Sequence, residues 1–427
     1  MVMDSANSDA ASFAGAVLVF RKGPSGYEYF QTIYPTPALA GAPPVEVSLS
    51  LKGNVATFVH KRQWHFNPLY LIQDRQAYVF EFNGTQWEIA ALLDPVSSPQ
   101  GLDLSRNWGL YGAVVIDDEH LAFSAWGTVD GTNPPTMLLQ AGQVGVPAVH
   151  FYHKVGGAWL PDQIVWGGTV VGPRYLPIAM AADGGRVVAA SPYDMSFAVY
   201  ERNGQGDWYV SDWVENPFRR DWENDPYASI AIQGDLIVFG QPYDITEMFG
   251  FVQPHVGTVQ VFRETSLGWQ LEADLEASDS WWGPSGLLDW KCDRFGYSVD
   301  VDQGRIVVGA VEAHIDPSLQ GPLDGFGAAY VFEHEGGQWT EKYRLWAEDP
   351  AAGEGFGKAV SLEGDTVVVT NEFYTTSGNQ LTAQVFHLPM GAEVCPGHPN
   401  SGGGAGHIAV SGFEDPSIGF LKLAASD

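Results

Sequence analysis

A chain of 427 residues that is 45% hydrophobic and 13% aromatic can bury a large core, and its length alone would allow two or three domains. Fifty-one acidic against 21 basic residues give a formal net charge of −30 with no basic stripe, which argues against a nucleic-acid partner and fits a soluble, exported or salt-exposed protein. Two cysteines, Cys292 and Cys395, cannot supply a disulfide framework, no run of about 18 apolar residues suggests a membrane span, and residues 1–13 lack the basic and apolar regions of a signal peptide.

In chain order, Ala16-Val17-Leu18-Val19-Phe20 reads as a β-branched, aromatic strand, with an aromatic, Tyr27, opening the next one. The pair then recurs at Ala77-Tyr78-Val79-Phe80 with Trp87, Ala148-Val149-His150-Phe151 with Trp159, and Phe197-Ala198-Val199-Tyr200 with Trp208. Further copies are Thr258-Val259-Gln260-Val261-Phe262 with Trp269 and Ala329-Tyr330-Val331-Phe332 with Trp339; Ala383-Gln384-Val385-Phe386 repeats the strand alone. Ahead of most copies lies a hairpin with a tight turn, near Gly53, Asp118, Gly185, Gly234, Gly304 and Gly364, where positive φ favours glycine. Each unit therefore reads as a four-stranded antiparallel meander. The fullest unit runs from Phe295 to Leu345, and its repetition overrides the two- or three-domain estimate.

Meanders too small to bury both faces alone solve their edge problem by radial packing, so an all-β propeller of four-stranded antiparallel blades is expected over residues 14–390. Seven blade positions are favoured, with the incomplete first and last units as separate blades, because residues 382–388 already give the last unit a third strand; the alternative is six, with the N-terminal strand pair closing against the final hairpin. Residues 1–13 read as an N-terminal extension. After Pro389 a Gly-rich linker leads to a short hairpin near His407–Ser411 and Gly419–Leu423, so residues 391–427 read as a linker and the start of a small β module. The recurrent Trp87, Trp159, Trp208, Trp269 and Trp339 are expected to pack between blades.

Phe295-Gly296 with Val308-Gly309-Ala310, and its second copy Phe356-Gly357-Lys358-Ala359-Val360, resemble the FG-GAP repeat of integrin alpha-subunit propellers and secreted bacterial proteins. The match weakens toward the N-terminus, where Trp108-Gly109 and Tyr227-Ala228 stand in for Phe-Gly. The resemblance implies a propeller used outside the cell or at its surface for adhesion or ligand binding, and it does not imply an enzyme. Many members of the family bind calcium through an Asp-rich loop. The nearest approach here, Asp300-Val301-Asp302-Gln303-Gly304, sits on a strand and its turn, so no cofactor is expected, with calcium the minority alternative in the absence of a matching loop motif.

Strand alternation puts the short turns of each blade at one rim and the long connections at the other. The long set covers residues 60–76, 94–110, 125–146, 165–177, 215–226, 241–256, 276–294 and 311–326. Binding residues concentrate on such loops. The candidates for contact with a protein or glycan ligand are Trp64, Trp126, Trp222, Trp281, Trp282 and Trp290, the bland alternative being that they plug the ring's mouth. Asp221, Glu223 and Asp225 could serve a glycoside hydrolase or lyase, but no Gly-x-Ser-x-Gly, His-Glu-x-x-His or paired Cys-x-x-Cys motif supports an enzyme. The sequence thus reads as a monomeric, non-catalytic binding or adhesion propeller, extracellular or at the cell surface, with a lectin-like propeller as the first alternative and a propeller hydrolase or lyase as the second.

Overall fold

The computed structural model describes residues 2–4, 16–23, 26–33, 47–60, 77–93, 109–127, 146–166, 179–191, 196–215, 227–242, 246–248, 251–253, 257–279, 282–285, 289–313, 325–347, 355–375, 378–388, 408–411 and 422–425. Among them there is no helix. They form six blade sheets of the β-propeller type, in which consecutive strands pair antiparallel.

Blade 1 comprises Val47–Lys52, Val55–His60, Ala77–Phe82 and Trp87–Leu93; blade 2, Gly109–Asp117, His120–Gly127, Val146–Val155 and Ala158–Trp166; blade 3, Ala179–Asp183, Arg186–Ser191, Ser196–Arg202 and Trp208–Glu215. Blade 4 comprises Ser229–Gln233, Leu236–Gln241, Thr258–Thr265 and Gly268–Leu275; blade 5, Phe295–Asp302, Arg305–Ala310, Ala328–Glu335 and Gln338–Leu345; blade 6, Ala359–Glu363, Thr366–Thr375 and Gly378–His387. The last sheet continues through Ile408–Ser411 and Lys422–Ala425, joined by the pair Val385↔Ile408.

The count is six, not the favoured seven. Ala16–Gly23 and Gly26–Ile33 pair with Val2–Asp4 in a separate three-stranded sheet that has no first hairpin of its own. Instead Leu18 packs on Ala383 of the last blade, with Phe20, Tyr29 and Val368 around the contact.

The chain divides into two compact units. One comprises Met1, Ala10–Val17 and Ile33–Pro226 and carries blades 1 to 3; the other comprises Val2–Asp9, Leu18–Thr32 and Tyr227–Asp427, with blades 4 to 6. Within each unit the first strands of consecutive blades lie against one another, and in the first unit the fourth strands scarcely meet. Wedge-like spacing of this kind puts the cores between sheets. Val79, Val115, Phe123 and Trp159 fill blades 1 and 2, whereas Val238, Val261, Phe295, Ile306 and Tyr330 fill blades 4 and 5. Each such side chain contributes about 1.5–3 kcal/mol by leaving water.

A recurrent bulge shapes the outer half of the blades. The register between third and fourth strands slips at Val79/Phe80, Phe151/Tyr152, Val199/Tyr200, Val261/Phe262 and Val331/Phe332. Bulges raise local twist, and here each one directly precedes a large aromatic.

The repeat tryptophans occupy the strand just beyond these bulges. Trp159 of blade 2 donates Nε1–H to Glu81 of blade 1 at 2.7 Å, and Trp339 of blade 5 donates to Glu272 of blade 4 at 2.8 Å. Trp208 of blade 3 stacks on Phe151 of blade 2 with centroids 4.1 Å apart, while its own Nε1 has no partner among the described residues. Trp269 is buried, and Trp87 lies against Phe82 of its own blade.

In the second unit glycines fix how close the blades come. A Cβ on Gly309 would overlap the carbonyl oxygen of Gly357, and one on Gly327 would overlap the backbone of Phe356. Blades 4 and 5 repeat the arrangement with Gly240 against Gly296 and Gly257 against Phe295. Serine closes each contact: Ser229 Oγ donates to the Gly296 carbonyl and Ser298 Oγ to the Gly357 carbonyl, both at 2.8 Å. The Phe-Gly of one blade therefore nests in the second-strand glycine of the blade before it. The pairs Ser229↔Gly240 and Ser298↔Gly309 also align Ser229 with Ser298, which puts Tyr227 at the place of Gly296. Tyr227-Ala228 is thus one residue out of register with Phe-Gly, and its ring stacks on Tyr297 at 4.2 Å instead.

Candidate functional site

The first reversal of every blade is a two-residue turn, as between Asp302 and Arg305, where Gln303 and Gly304 both have positive φ. The opposite rim of the second unit is built differently. Between the second and third strands of blade 4, Thr246–Met248 and Phe251–Gln253 form a two-stranded hairpin. Between blades 4 and 5, Trp282–Ser285 and Asp289–Cys292 form another. In blade 6 the second and third strands each run ten residues and stay paired out to Thr375↔Gly378. Alternation of strand direction puts all three hairpins on one rim.

The central hairpin is anchored at both roots to blade 5. On its N-terminal side the Ser278 N–H and Oγ donate to Glu341 at 2.8 and 2.9 Å, and Asp279 accepts from Tyr330 Oη at 2.9 Å while pairing with Arg344. Burial raises the pKa of Glu341 and holds that of Tyr330 well above the usual phenol value, so Tyr330 stays a neutral donor. On the C-terminal side the Glu312 N–H donates to the Asp293 carbonyl at 3.2 Å, and Arg294 pairs with Glu312 at 3.2 Å. None of these partners is near in sequence.

At the opposite, short-turn rim the acids serve blade-to-blade bonds. Asp300 accepts from the Leu362 N–H at 2.8 Å and Asp302 from the Gly364 N–H at 2.6 Å, both across to blade 6, and Asp302 also meets Gln233 of blade 4. Burial, ahead of the opposing backbone bonds, raises the Asp300 pKa to about 6. The carboxylates of the stretch from Asp300 to Gly304 are thus engaged by backbone amides and by the Gln233 side chain.

The candidate ligand-binding tryptophans fall in three places. Trp282 and Trp290 are brought into the central hairpin, where Trp282 pairs with Cys292 and Trp290 with Pro284. Trp126 lies near the end of the second strand of blade 2, opposite Gly109 and Pro147. Trp64, Trp222 and Trp281, like Asp221, Glu223, Asp225 and Cys395, lie outside the described residues. The anchors Ser278, Asp279, Glu341 and Arg344 were missed in the sequence, as was Gly327. Its counterpart Gly257 also stands just before a third strand, a recurrence that could have exposed both.

Antiparallel sheets of this order define a β-propeller repeat protein. Residues 339–386, from the fourth strand of blade 5 to the third of blade 6, match the FG-GAP repeat family. Among solved structures, Sqt1 from Chaetomium thermophilum aligns with a TM-score of 0.45 at 12% identity, covering 92% of this chain and 79% of that one. The periplasmic gluconolactonase PpgL of Pseudomonas aeruginosa aligns with a TM-score of 0.46 at 14% identity, covering 96% and 98%. Neither likeness assigns an activity. No curated protein matches the sequence.

Proposed function

We propose that this chain is a non-catalytic binding or adhesion propeller, working outside the cell or at its surface, that recognises a protein or glycan through the long-loop rim of its second unit. The observation that carries the reading is the concentration of three hairpins on that rim, opposite a rim closed by two-residue turns. A rigid sheet that holds projecting connections is the usual architecture of recognition. The FG-GAP match at residues 339–386 supports the extracellular setting. The shifted carboxylates call for no catalytic role: burial raises both, and Asp300 is engaged by the Leu362 and Val301 amides and Glu341 by Ser278, bonds that oppose the shift.

The test is attachment of the fluorescently labelled chain to intact cells and extracellular matrix of its source. Replacing each of the three hairpins by a Gly-Ser turn should reduce attachment, and equal changes at the Gly156-Gly157 and Gly336-Gly337 turns should not. Attachment unchanged by all three replacements would refute the reading.

A further inference from the structure

Asn-x-Ser/Thr occurs once in the chain, as Asn83-Gly84-Thr85. It falls in the turn between Ala77–Phe82 and Trp87–Leu93 of blade 1, where residues 83 to 86 are all exposed. Hydrogen bonds set the pose of the asparagine: its Oδ1 accepts from the Thr85 N–H at 2.9 Å, the Gln86 N–H at 3.0 Å and the Thr85 hydroxyl at 2.7 Å. Gly84, at φ +95°, has nothing within 4 Å of the place of a Cβ, so the approach over the turn is open. Asn83 Nδ2 donates to none of the described residues. We propose that Asn83 is the acceptor of an N-linked glycan, an inference that rests on the reading above that the chain works outside the cell.

In that modification the asparagine Nδ2 attacks the anomeric carbon of a lipid-diphosphate-linked oligosaccharide, delivered by a transferase. The N–C bond forms, the C–O bond to the phosphate breaks, the lipid diphosphate leaves, and Nδ2 gives up one proton. The acceptor sequence requires a hydroxyl at its third position, and the Thr85 hydroxyl lies hydrogen-bonded on the carboxamide that reacts. Because residues 83 to 86 are exposed, an enzyme can engage the turn without breaking a core contact. Blade 3 supplies the comparison. Its own third-to-fourth turn carries Asn203-Gly204-Gln205, and Asn203 Oδ1 likewise accepts from the backbone N–H groups of Gln205 and Asp207, both at 2.9 Å. Gln205 offers no hydroxyl, and Asn203 Nδ2 donates to Asp207 at 3.3 Å. The same kind of turn thus occurs once with the acceptor chemistry and once without it. Alternation of strand direction puts the Asn83 turn at the short-turn end of blade 1, so a glycan there leaves that blade's long connections uncovered.

The test is to secrete the full chain from cultured eukaryotic cells behind a cleavable leader and to release N-glycans with a peptide-N-glycosidase in heavy-oxygen water. Each occupied asparagine then becomes a labelled aspartate that peptide mass spectrometry locates. Label is expected at position 83 and none at Asn203. Asn83→Gln and Thr85→Ala should each abolish it, whereas Thr85→Ser should keep it, and thermal melting confirms that each variant is folded. A secreted chain without label at position 83, or label that survives Thr85→Ala, would overturn the proposal. Fractionation of the source reads export separately. A chain found outside its cells yet unlabelled at position 83 after secretion would overturn the glycan and leave export standing, whereas a chain confined to the cytoplasm of its source would overturn export and the glycan with it.

Discussion

Gly309→Ala isolates what holds blades 5 and 6 together. Gly309 lies in an ordinary extended strand, so the substitution adds no backbone strain. It adds only a methyl group that would overlap the Gly357 carbonyl oxygen and the Ser298 hydroxyl and come within 3.0 Å of the Gly357 carbonyl carbon. Carbon atoms rest about 3.5 Å or more apart, so the segment leading into the first strand of blade 6 must retreat by about half an ångström at least, and further to clear the oxygen. That movement breaks the Ser298–Gly357 hydrogen bond and loosens Phe356, which is 1% exposed. Overpacking costs about 1–3 kcal/mol and a lost hydrogen bond about 1 kcal/mol, so the variant should lose about 3 kcal/mol. For a unit of this size that is roughly 6–12 °C in Tm. The control is Gly304→Ala, where φ is +76° but nothing lies within 4 Å; it carries left-handed strain of about 1 kcal/mol without a clash. Urea and thermal denaturation of both variants decide the matter. A Gly309→Ala loss no larger than that of Gly304→Ala would refute the close approach of the two backbones.

Other outcomes follow from hydrogen bonding and protonation. Trp159→Phe removes an N–H donated to Glu81 and should cost more in urea unfolding than Trp208→Phe, whose indole N–H donates to nothing among the described residues; equal costs would contradict the assignment. Full burial lowers the His150 pKa from 6.5 to about 4. The folded first unit therefore binds fewer protons than the unfolded chain, and its stability, intact above pH 6.5, falls by about 3 kcal/mol as pH drops to 4. His150→Leu should flatten urea midpoints measured across that window, and an unchanged slope would refute the burial. Asp300 acts with the opposite sign: its folded pKa, raised from 3.8 to about 6, makes its contribution greatest below pH 4 and lost as pH rises through 6. Hydrogen exchange of peptides 295–310 should therefore slow between pH 7 and 5 once corrected for intrinsic rates, and faster corrected exchange at pH 5 would contradict it.

Much of the fold was legible because the strands carry it locally. Ala329-Tyr330-Val331-Phe332 and Trp339 recur with the same neighbours in every full blade, and each first reversal has a glycine or acid in a two-residue turn. The recurrence counts third and fourth strands equally, however, so Ala16–Ile33 read as a blade although it lacks the inner hairpin that lets a blade stack on the next. Register was lost where chemistry imitates a motif: Tyr227-Ala228 looks like Phe-Gly, but only the partnership of Ser229 with Gly240 and Gly296 fixes its place. The candidate site was half legible. Trp282 and Trp290 stood out by type, but that they fall on the two strands of one hairpin depends on the pairing of Trp282 with Cys292 and of Pro284 with Trp290. The anchors depend on contacts such as Ser278 to Glu341 and Asp279 to Tyr330, separated by 63 and 51 residues, for which no local pattern exists.

Hydroxyl-radical footprinting of the full chain, free and attached to the surface it recognises, tests the rim directly. Protection is expected in peptides 242–257, 280–292 and 371–382, with the turns at 234–235, 303–304 and 336–337 unchanged. Protection of those turns, with the three hairpin peptides left as reactive as in the free chain, would contradict recognition by the long-loop rim.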